Sequence, residues 1–290
     1  IRQSITASDG NIYALPQVDV SDTGLMGFKQ WINKDWLAAL NLEPPTTLEE
    51  FKNVLIAFRD NDPNGNGEQD EIPYGIREPS SVYQLAGAFE LEYQMRDTYN
   101  LDENGKIQLT MNNDRTIQLI DKYLEMSGPD YTVSPSRFKS YDDSYAVFWR
   151  GHALFYDGIL SSVESASSRA NFDYKALPLP KLDEEQRQYY TMMDNIGLLF
   201  CVPVNAPDPE FTGYMLEALS YVSDSTTLPT YYEKCCKIKS VYDEDSAEMI
   251  DIAMSGQICD IGFLYNIGGL ASILNSDIPS GTKNTFMSRY

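Results

Sequence analysis

The spacing of apolar residues along the chain predicts helices that alternate with short strands. Leu48, Phe51, Leu55 and Phe58 recur at helical spacing and would share one face of a helix. Similar spacing predicts helices over residues 28–40, 82–95, 114–126, 210–222, 231–237 and 245–254, and a helix that ends near residue 149. Apolar runs beside turn residues predict strands over residues 11–17, 152–158, 174–179 and 197–204, and a hairpin over residues 100–111. This alternation favours an α/β architecture whose chain crosses between lobes.

The helix that contains Phe51 carries a capping pattern at its start. Thr47 and Glu50 have the spacing of a capping box, and Thr46 and Glu49 offer the adjacent register. The helix ends where a loop rich in Asp and Asn begins. We therefore expect this loop to connect a packed helix to the next strand.

Composition narrows the possible functions. The chain has 290 residues and a net charge of −21, with 22 Lys and Arg against 43 Asp and Glu. Because nucleic acids and anionic membranes bind basic surfaces, this charge argues against both as partners. His152 is the only histidine, which argues against His-based catalytic triads and multi-His metal sites. The four cysteines match no zinc-site spacing, and no apolar run is long enough to span a bilayer.

The loop over residues 62–71 reads DPNGNGEQDE and alternates oxygen-bearing side chains with glycines. The spacing follows positions 1, 3, 5, 7 and 9 of an EF-hand loop. The candidate donors are the side chains of Asp62, Asn64, Asn66 and Asp70 and the backbone carbonyl of Glu68. Hard oxygen donors in this number suit Ca²⁺ rather than Zn²⁺.

The end of the loop departs from the EF-hand pattern. Position 12, which holds a bidentate Glu in an EF-hand, is Pro73 here, and we expect Glu71 to complete the site instead. The alternative is an acidic Asn-Gly surface turn. The ladder of oxygens exceeds what a turn requires, which favours a structural calcium ion. Loops of this type in extracellular modules bind calcium with a Kd on the order of 10⁻⁴ to 10⁻³ M, so an extracytoplasmic setting is indicated.

Several stretches in order resemble the extracellular solute-binding proteins of bacterial ABC importers, in the carbohydrate-type class. The resemblance rests on DGNIYALPQ, WINKDWLAALNLEPPTTLEEFKNVLIAF, DPNGNGEQDEIPYG, FWRGHALFYDG, DNIGLLFCVPVNAPDPE and SAEMIDIAMSGQICDIGFLYNIGG. It extends over nearly the whole chain, and the joint order of the motifs is more specific than any one of them. It implies periplasmic-binding-protein-like lobes of type II, each an open mixed sheet flanked by helices.

The resemblance also implies an incomplete cleft and a mode of action. Family members carry most of the N-terminal lobe before the DGNIYALP strand. Residues 1–22 and 195–244 would then be a remnant of that lobe, and residues 23–194 and 245–290 the C-terminal lobe. In the family two lobes close around a saccharide, and the closed form docks on an ABC permease in the membrane. The implied protein is an extracellular, membrane-anchored lipoprotein of a Gram-positive bacterium, a monomer and not an enzyme.

Positions in the matched motifs place five side chains near the cleft: Glu78, Tyr156, Asp157, Tyr265 and, more weakly, Trp149. Aromatic faces and planar polar groups suit sugars. For each aromatic residue the alternative is ordinary core packing. For the two acidic residues it is a helix cap or a surface charge.

The rival class is a calcium-containing carbohydrate-active hydrolase. Such an enzyme needs two carboxyl groups placed roughly 5 to 9.5 Å apart across a glycosidic bond. With 43 acidic residues the sequence leaves such a pair open, but no motif singles one out. No G-x-S-x-G, Walker or dinucleotide-binding motif occurs. A binding protein is therefore favoured over an enzyme.

Overall fold

The computed structural model describes residues 2–3, 5–16, 28–68, 70–75, 99–109, 114–126, 128, 130–131, 146–159, 170–192, 199–231, 233–234, 244–258, 266, 269 and 272. The predicted helix over residues 82–95 lies outside them, as do the predicted ligand contacts Glu78 and Tyr265. The strands are β1 Leu15–Pro16, β2 Phe28–Asn33, β3 Ile72–Gly75, β4 Tyr99–Leu101, β5 Ile107–Leu109, β6 Ala153–Ile159, β7 Tyr174–Leu177, β8 Thr191–Met192, β9 Leu199–Phe200 and β10 Gln257–Ile258. The helices are α1 Lys34–Ala39, α2 Leu48–Arg59, α3 Asp114–Met126, α4 Pro209–Val222 and α5 Glu244–Ser255.

The centre of the described structure is an open mixed sheet with the strand order β3-β6-β2-β7. Strand β6 pairs in parallel with β3, and β2 is antiparallel to both β6 and β7. The carboxyl ends of β3 and β6 therefore lie at the same edge of the sheet.

Helices cover both faces of this sheet. Ile32 pairs with Phe155, and both belong to a core that includes side chains of α2 and α3. Trp31 pairs with Tyr156 and Ala176, and these belong to a second core that includes Ile250 of α5. The layered α/β arrangement that the sequence predicts is confirmed.

The predicted helix over residues 28–40 is wrong in its first half. Residues Phe28–Asn33 form β2, an interior strand of the sheet, and only Lys34–Ala39 are helical. A strand with both faces covered buries neighbouring residues, here Trp31 and Ile32, so it lacks the alternation that identifies a half-exposed strand. The Asn33 side chain accepts the Trp36 N–H at 3.1 Å and caps the helix at the junction.

Most other predicted elements are present where they can be described, but the strands predicted over residues 11–17 and 197–204 are strands only at Leu15–Pro16 and Leu199–Phe200 among the described residues. Helix α2 starts with the predicted capping box, in which Thr47 accepts the Glu50 N–H and the Glu50 side chain accepts the Thr47 N–H. Helix α3 has the predicted bounds, and β4 and β5 form the predicted hairpin, with Gly105 at φ 76° in its turn. The chain continues from α4 as a π-helical stretch, Ser223–Thr227, and a helical turn, Leu228–Thr230.

A separate pair of strands joins two distant parts of the chain. Strand β1 pairs antiparallel with β9, apart from the four-stranded sheet. Helix α4, which follows, has no buried residue. No helix in the described ranges combines the length and apolar character needed to cross a membrane.

Candidate functional site

The loop between α2 and β3 is organised by the carboxylate of Asp62. Its Oδ1 accepts the backbone N–H groups of Gly65 at 2.7 Å and Asn66 at 3.2 Å, and its Oδ2 accepts that of Gly67 at 2.7 Å. These bonds lower the pKa of Asp62, the Gly67 bond most. Gly65 and Gly67 have φ values of 72° and 82°, a left-handed conformation that glycine adopts without strain. The loop therefore curls around its first acidic side chain.

The two asparagine side chains continue the same ladder. Asn64 Oδ1 accepts the Asn66 N–H at 2.9 Å, and Asn66 Oδ1 accepts the Glu68 N–H at 2.7 Å. Both amide groups also donate to Asp70 Oδ1, at 3.3 and 3.2 Å. An amide oxygen has two acceptor lone pairs, so each keeps one for a further partner. The side chains predicted to act together are thus drawn to one loop interior.

Glu71 adds a carboxylate in which one oxygen accepts no hydrogen bond. Its Oε1 is buried without a hydrogen-bond partner. Burial raises the pKa of Glu71, and the charges of Asp62 and Asp70 raise it further. A buried carboxylate oxygen without a partner costs free energy, and a cation in the loop would relieve that cost.

The loop fits a hard cation only if carboxylate, amide and backbone carbonyl oxygens act together as ligands. Within the ranges that the structure describes, no group of three or more His, Cys, Asp or Glu side chains is arranged to hold a metal ion. The loop offers in addition two amide oxygens and the carbonyl of Glu68, which are ligands typical of Ca²⁺. The unpartnered Glu71 oxygen and the free lone pairs of Asn64 and Asn66 are what such an ion would use.

The loop lies between two elements that meet at Tyr74. Asp62 follows the end of α2 by three residues, and Glu71 directly precedes β3. Phe51 of α2 packs edge-on against the Tyr74 ring of β3, with centroids 5.2 Å apart. The Ile72 N–H donates to His152 O and the Tyr74 N–H donates to Tyr131 O, at 3.1 and 3.0 Å. The position of β3 is therefore fixed by its pairing in the sheet and by the carbonyl of Tyr131, and the loop connects it to α2.

Tyr74 leads to a second polar group, the fully buried carboxyl of Asp157 on β6. The Tyr74 hydroxyl donates a hydrogen bond to Asp157 Oδ2. Burial raises the pKa of Asp157 to about 7, against lowering effects of Tyr74 and of the side chain of its cross-strand partner Gln30. Asp157 Oδ1 has no hydrogen bond of normal geometry. The neutral form of this carboxyl is therefore far more populated near neutral pH than that of an exposed aspartate.

The predicted ligand contacts Trp149 and Tyr156 lie in the core on the opposite face of the sheet. Their ring centroids are 6.3 Å apart, and Phe148 packs against both. Both side chains are at most 2% exposed. Such burial is what the core-packing alternative requires. Their assignment as saccharide contacts stays a prediction.

The structure thus brings the predicted loop ligands together and separates Asp157 from the two aromatic residues. It also shows two residues that sequence reasoning missed, Tyr74 and Gln30. Gln30 lies within the predicted helix over residues 28–40, and Tyr74 lies in the quoted stretch DPNGNGEQDEIPYG but has no predicted role there. Their roles follow from strand register, which pairs Gln30 with Asp157 and Tyr74 with Phe155.

The chain resembles known proteins both in sequence and in fold. The chain is 30% identical over 183 residues to the fructooligosaccharide ABC transporter substrate-binding protein FusA of Streptococcus pneumoniae. The matched segment covers 60% of this chain and 33% of that relative. The structure of S. pneumoniae FusA in complex with kestose matches with a TM-score of 0.59 and 18% identity, over 97% of this chain and 70% of that one.

The resemblance to carbohydrate solute-binding proteins of ABC transporters is confirmed. These homologues and structural neighbours share the type II periplasmic-binding-protein-like fold. A shorter match, 46% identity over 48 residues, is to lipoprotein LipO of Bacillus subtilis and covers 17% of this chain and 9% of that protein. No protein-family model matches the chain. The chain spans about a third of the length of the FusA relative that it matches and is shorter than the solved structures.

Proposed function

We propose that the protein captures a saccharide outside the cell for an ABC transporter and has no catalytic activity of its own. The observation that carries this proposal is the 183-residue match to a fructooligosaccharide-binding protein of such a transporter. The shared fold supports it, because lobes of this kind bind solutes by closing on them. An oligosaccharide is the solute, an ABC permease the membrane partner, and a monomer the working form.

The division of the chain into lobes is part of the proposal. Residues 1–22 and 195–244 belong to one lobe, and residues 23–194 and 245–290 to the other. The pairing of β1 with β9 supports this division, since it joins the two segments of the first set in a sheet of their own.

The edge of the sheet where β3 and β6 end is the proposed saccharide side of the second lobe. Ligands of open α/β sheets bind beyond the carboxyl ends of strands. Asp157 lies near the end of β6, and Glu78 follows the end of β3 by three residues. Tyr156 and Trp149 would support this edge from the opposite face. Tyr265 is proposed as a further contact from the sequence resemblance alone.

A calcium ion in the loop is the proposed structural cofactor. The ladder of oxygens from Asp62 to Asp70 and the unpartnered oxygen of Glu71 support it. Bound there, the ion would offset part of the negative charge of the loop and fix the junction of α2 with β3. The LipO match supports an extracellular, lipid-anchored location, and we propose a Gram-positive source.

Isothermal titration of the protein with kestose, raffinose and maltotriose tests the function. We expect saturable binding of at least one sugar, with no release of reducing sugar during a long incubation. Release of reducing sugar would instead favour the hydrolase, which no comparison supports. Absence of binding to every sugar would contradict the saccharide assignment.

A further inference from the structure

Two polar sites that the sequence keeps apart are joined by one short strand. Glu71 ends the loop and Tyr74 lies only three residues further on, in β3. Strand β3 has four residues, of which Pro73, Tyr74 and Gly75 are all buried; it pairs with β6, and the Tyr74 N–H donates to Tyr131 O. Only Ile72 and Pro73 separate Glu71 from Tyr74, so a displacement of Glu71 would act on Tyr74 through a short, restrained backbone.

Tyr74 also contacts the helix that leads into the other end of the loop. Asp62 follows α2, and α2 contributes Phe51, which packs against both Tyr74 and Phe155 with centroid distances of 5.2 and 4.7 Å. The separation of Asp62 and Glu71 thus sets how α2 and β3 meet around the Tyr74 ring. A cation that draws these two carboxylates together would tighten that contact.

The hydroxyl of Tyr74 connects the contact between α2 and β3 to strand β6. It donates to Asp157, which lies fully buried on β6 near the edge that β3 shares. We propose that cation binding in the loop of residues 62–71 is coupled to the Tyr74–Asp157 hydrogen bond through β3. This inference rests on the calcium loop proposed above and adds a regulatory link from the loop to the saccharide edge.

Coupling of this kind is reciprocal. If the hydrogen bond favours the cation-binding form of the loop, the cation favours the hydrogen bond by the same factor. Loss of the Tyr74 hydroxyl should therefore weaken calcium binding, although that hydroxyl touches no proposed ligand. Tyr174 offers a matched control, because it is a second buried tyrosine of the same sheet and belongs to the core on the opposite face.

Calcium titration calorimetry on the wild type, Tyr74→Phe and Tyr174→Phe is the direct test. We expect Tyr74→Phe to raise the calcium Kd at least threefold and Tyr174→Phe to change it less than twofold. Equal Kd values in all three proteins would overturn the coupling and leave the calcium loop intact. An equal loss in both variants would also overturn it, since it would show a general loosening of the core. No calcium binding by the wild type would reject the loop proposal itself.

Hydrogen exchange on the wild type tests the coupling without a substitution. The N–H groups of Ile72 and Tyr74 are bonded to His152 O and Tyr131 O. We expect calcium, but not magnesium at the same concentration, to slow their exchange at least threefold and to leave the hairpin amide of Lys106 unchanged. Unchanged exchange at Ile72 and Tyr74 with calcium bound would contradict transmission through β3.

Discussion

The hydroxyl of Tyr74 donates a hydrogen bond to the carboxyl of Asp157, 83 residues further along the chain. The two residues lie on neighbouring parallel strands, and both are buried beneath helix α2. This pair places an ionisable group inside the core of a protein whose net charge is −21. Its protonation should therefore be visible in the stability of the fold.

We predict that Asp157→Asn removes a pH dependence of stability. The pKa of Asp157 rises from 3.8 to about 7 on folding because the carboxyl is buried. The folded state thus keeps a proton that the unfolded state loses, so this group makes stability fall as the pH rises from about 4 to 7. One pKa unit corresponds to about 1.4 kcal/mol, which sets an upper limit of roughly 4 kcal/mol for the change.

Urea unfolding of wild type and Asp157→Asn at pH 5 and pH 8 measures this effect. Asn keeps an oxygen that can accept from Tyr74 and carries no charge. We expect the variant to gain at least about 1 kcal/mol relative to the wild type between the two pH values. Parallel stability profiles would show that the carboxyl titrates at its ordinary pKa.

We predict that Glu71→Gln abolishes the stabilisation of the protein by calcium without harming the calcium-free fold. The ionised carboxylate is disfavoured by its burial and by Asp62 and Asp70, so an uncharged amide relieves this repulsion. In chelator the melting temperature should stay equal or rise. In millimolar calcium the increase seen for the wild type should be lost.

Glu68→Gln is the matched control for this prediction, since only the backbone carbonyl of Glu68 is assigned to the ion and its side chain is exposed. Thermal unfolding with calcium and with chelator should give the wild-type response in this variant. Loss of the calcium effect in both variants would mean that overall loop charge, rather than a ligand, is responsible.

We predict that Thr47→Ala destabilises the protein by about 1 kcal/mol, as loss of a helix N-cap does. The Thr47 hydroxyl accepts the Glu50 N–H at 3.3 Å, which is one half of the capping box of α2. Thr46→Ala removes a hydroxyl that donates to Glu50 but leaves both backbone donors, at 2.8 and 3.3 Å. Urea unfolding should show a clearly smaller loss for Thr46→Ala; equal losses would assign the cap to the Glu50 side chain.

We predict that Phe51→Ala costs about 3 to 5 kcal/mol, the range for truncating a buried aromatic residue. Phe51 is fully buried and packs against Tyr74 and Phe155. Phe211→Ala on α4 makes the same change at a side chain that is 60% exposed, and should change stability by less than about 0.5 kcal/mol. A large cost at Phe211, measured by urea unfolding of the 290-residue chain, would show that the α4 face is covered in solution.

Local sequence patterns predicted the elements whose signals are local. The capping box at Thr47, the hairpin over residues 100–111 and the helix over residues 114–126 depend on contacts within a few residues, and all are confirmed. Residues 28–33 were mistaken for helix because an interior strand is buried on both faces and shows no alternation. The calcium loop stays a prediction, and its internal ladder agrees with the spacing from which it came.

The sequence by itself determined the alternation of helices and strands, the acidic loop and the resemblance to saccharide-capturing proteins. These properties are written in neighbouring residues or in the order of motifs. Only the tertiary structure decided that Asp157 is buried beside Tyr74 and Gln30, and that Trp149 and Tyr156 lie on the other face of the sheet. The physical reason is that strand register sets the face and the neighbours of every side chain in the sheet. A shift of one residue would move each side chain to the other face.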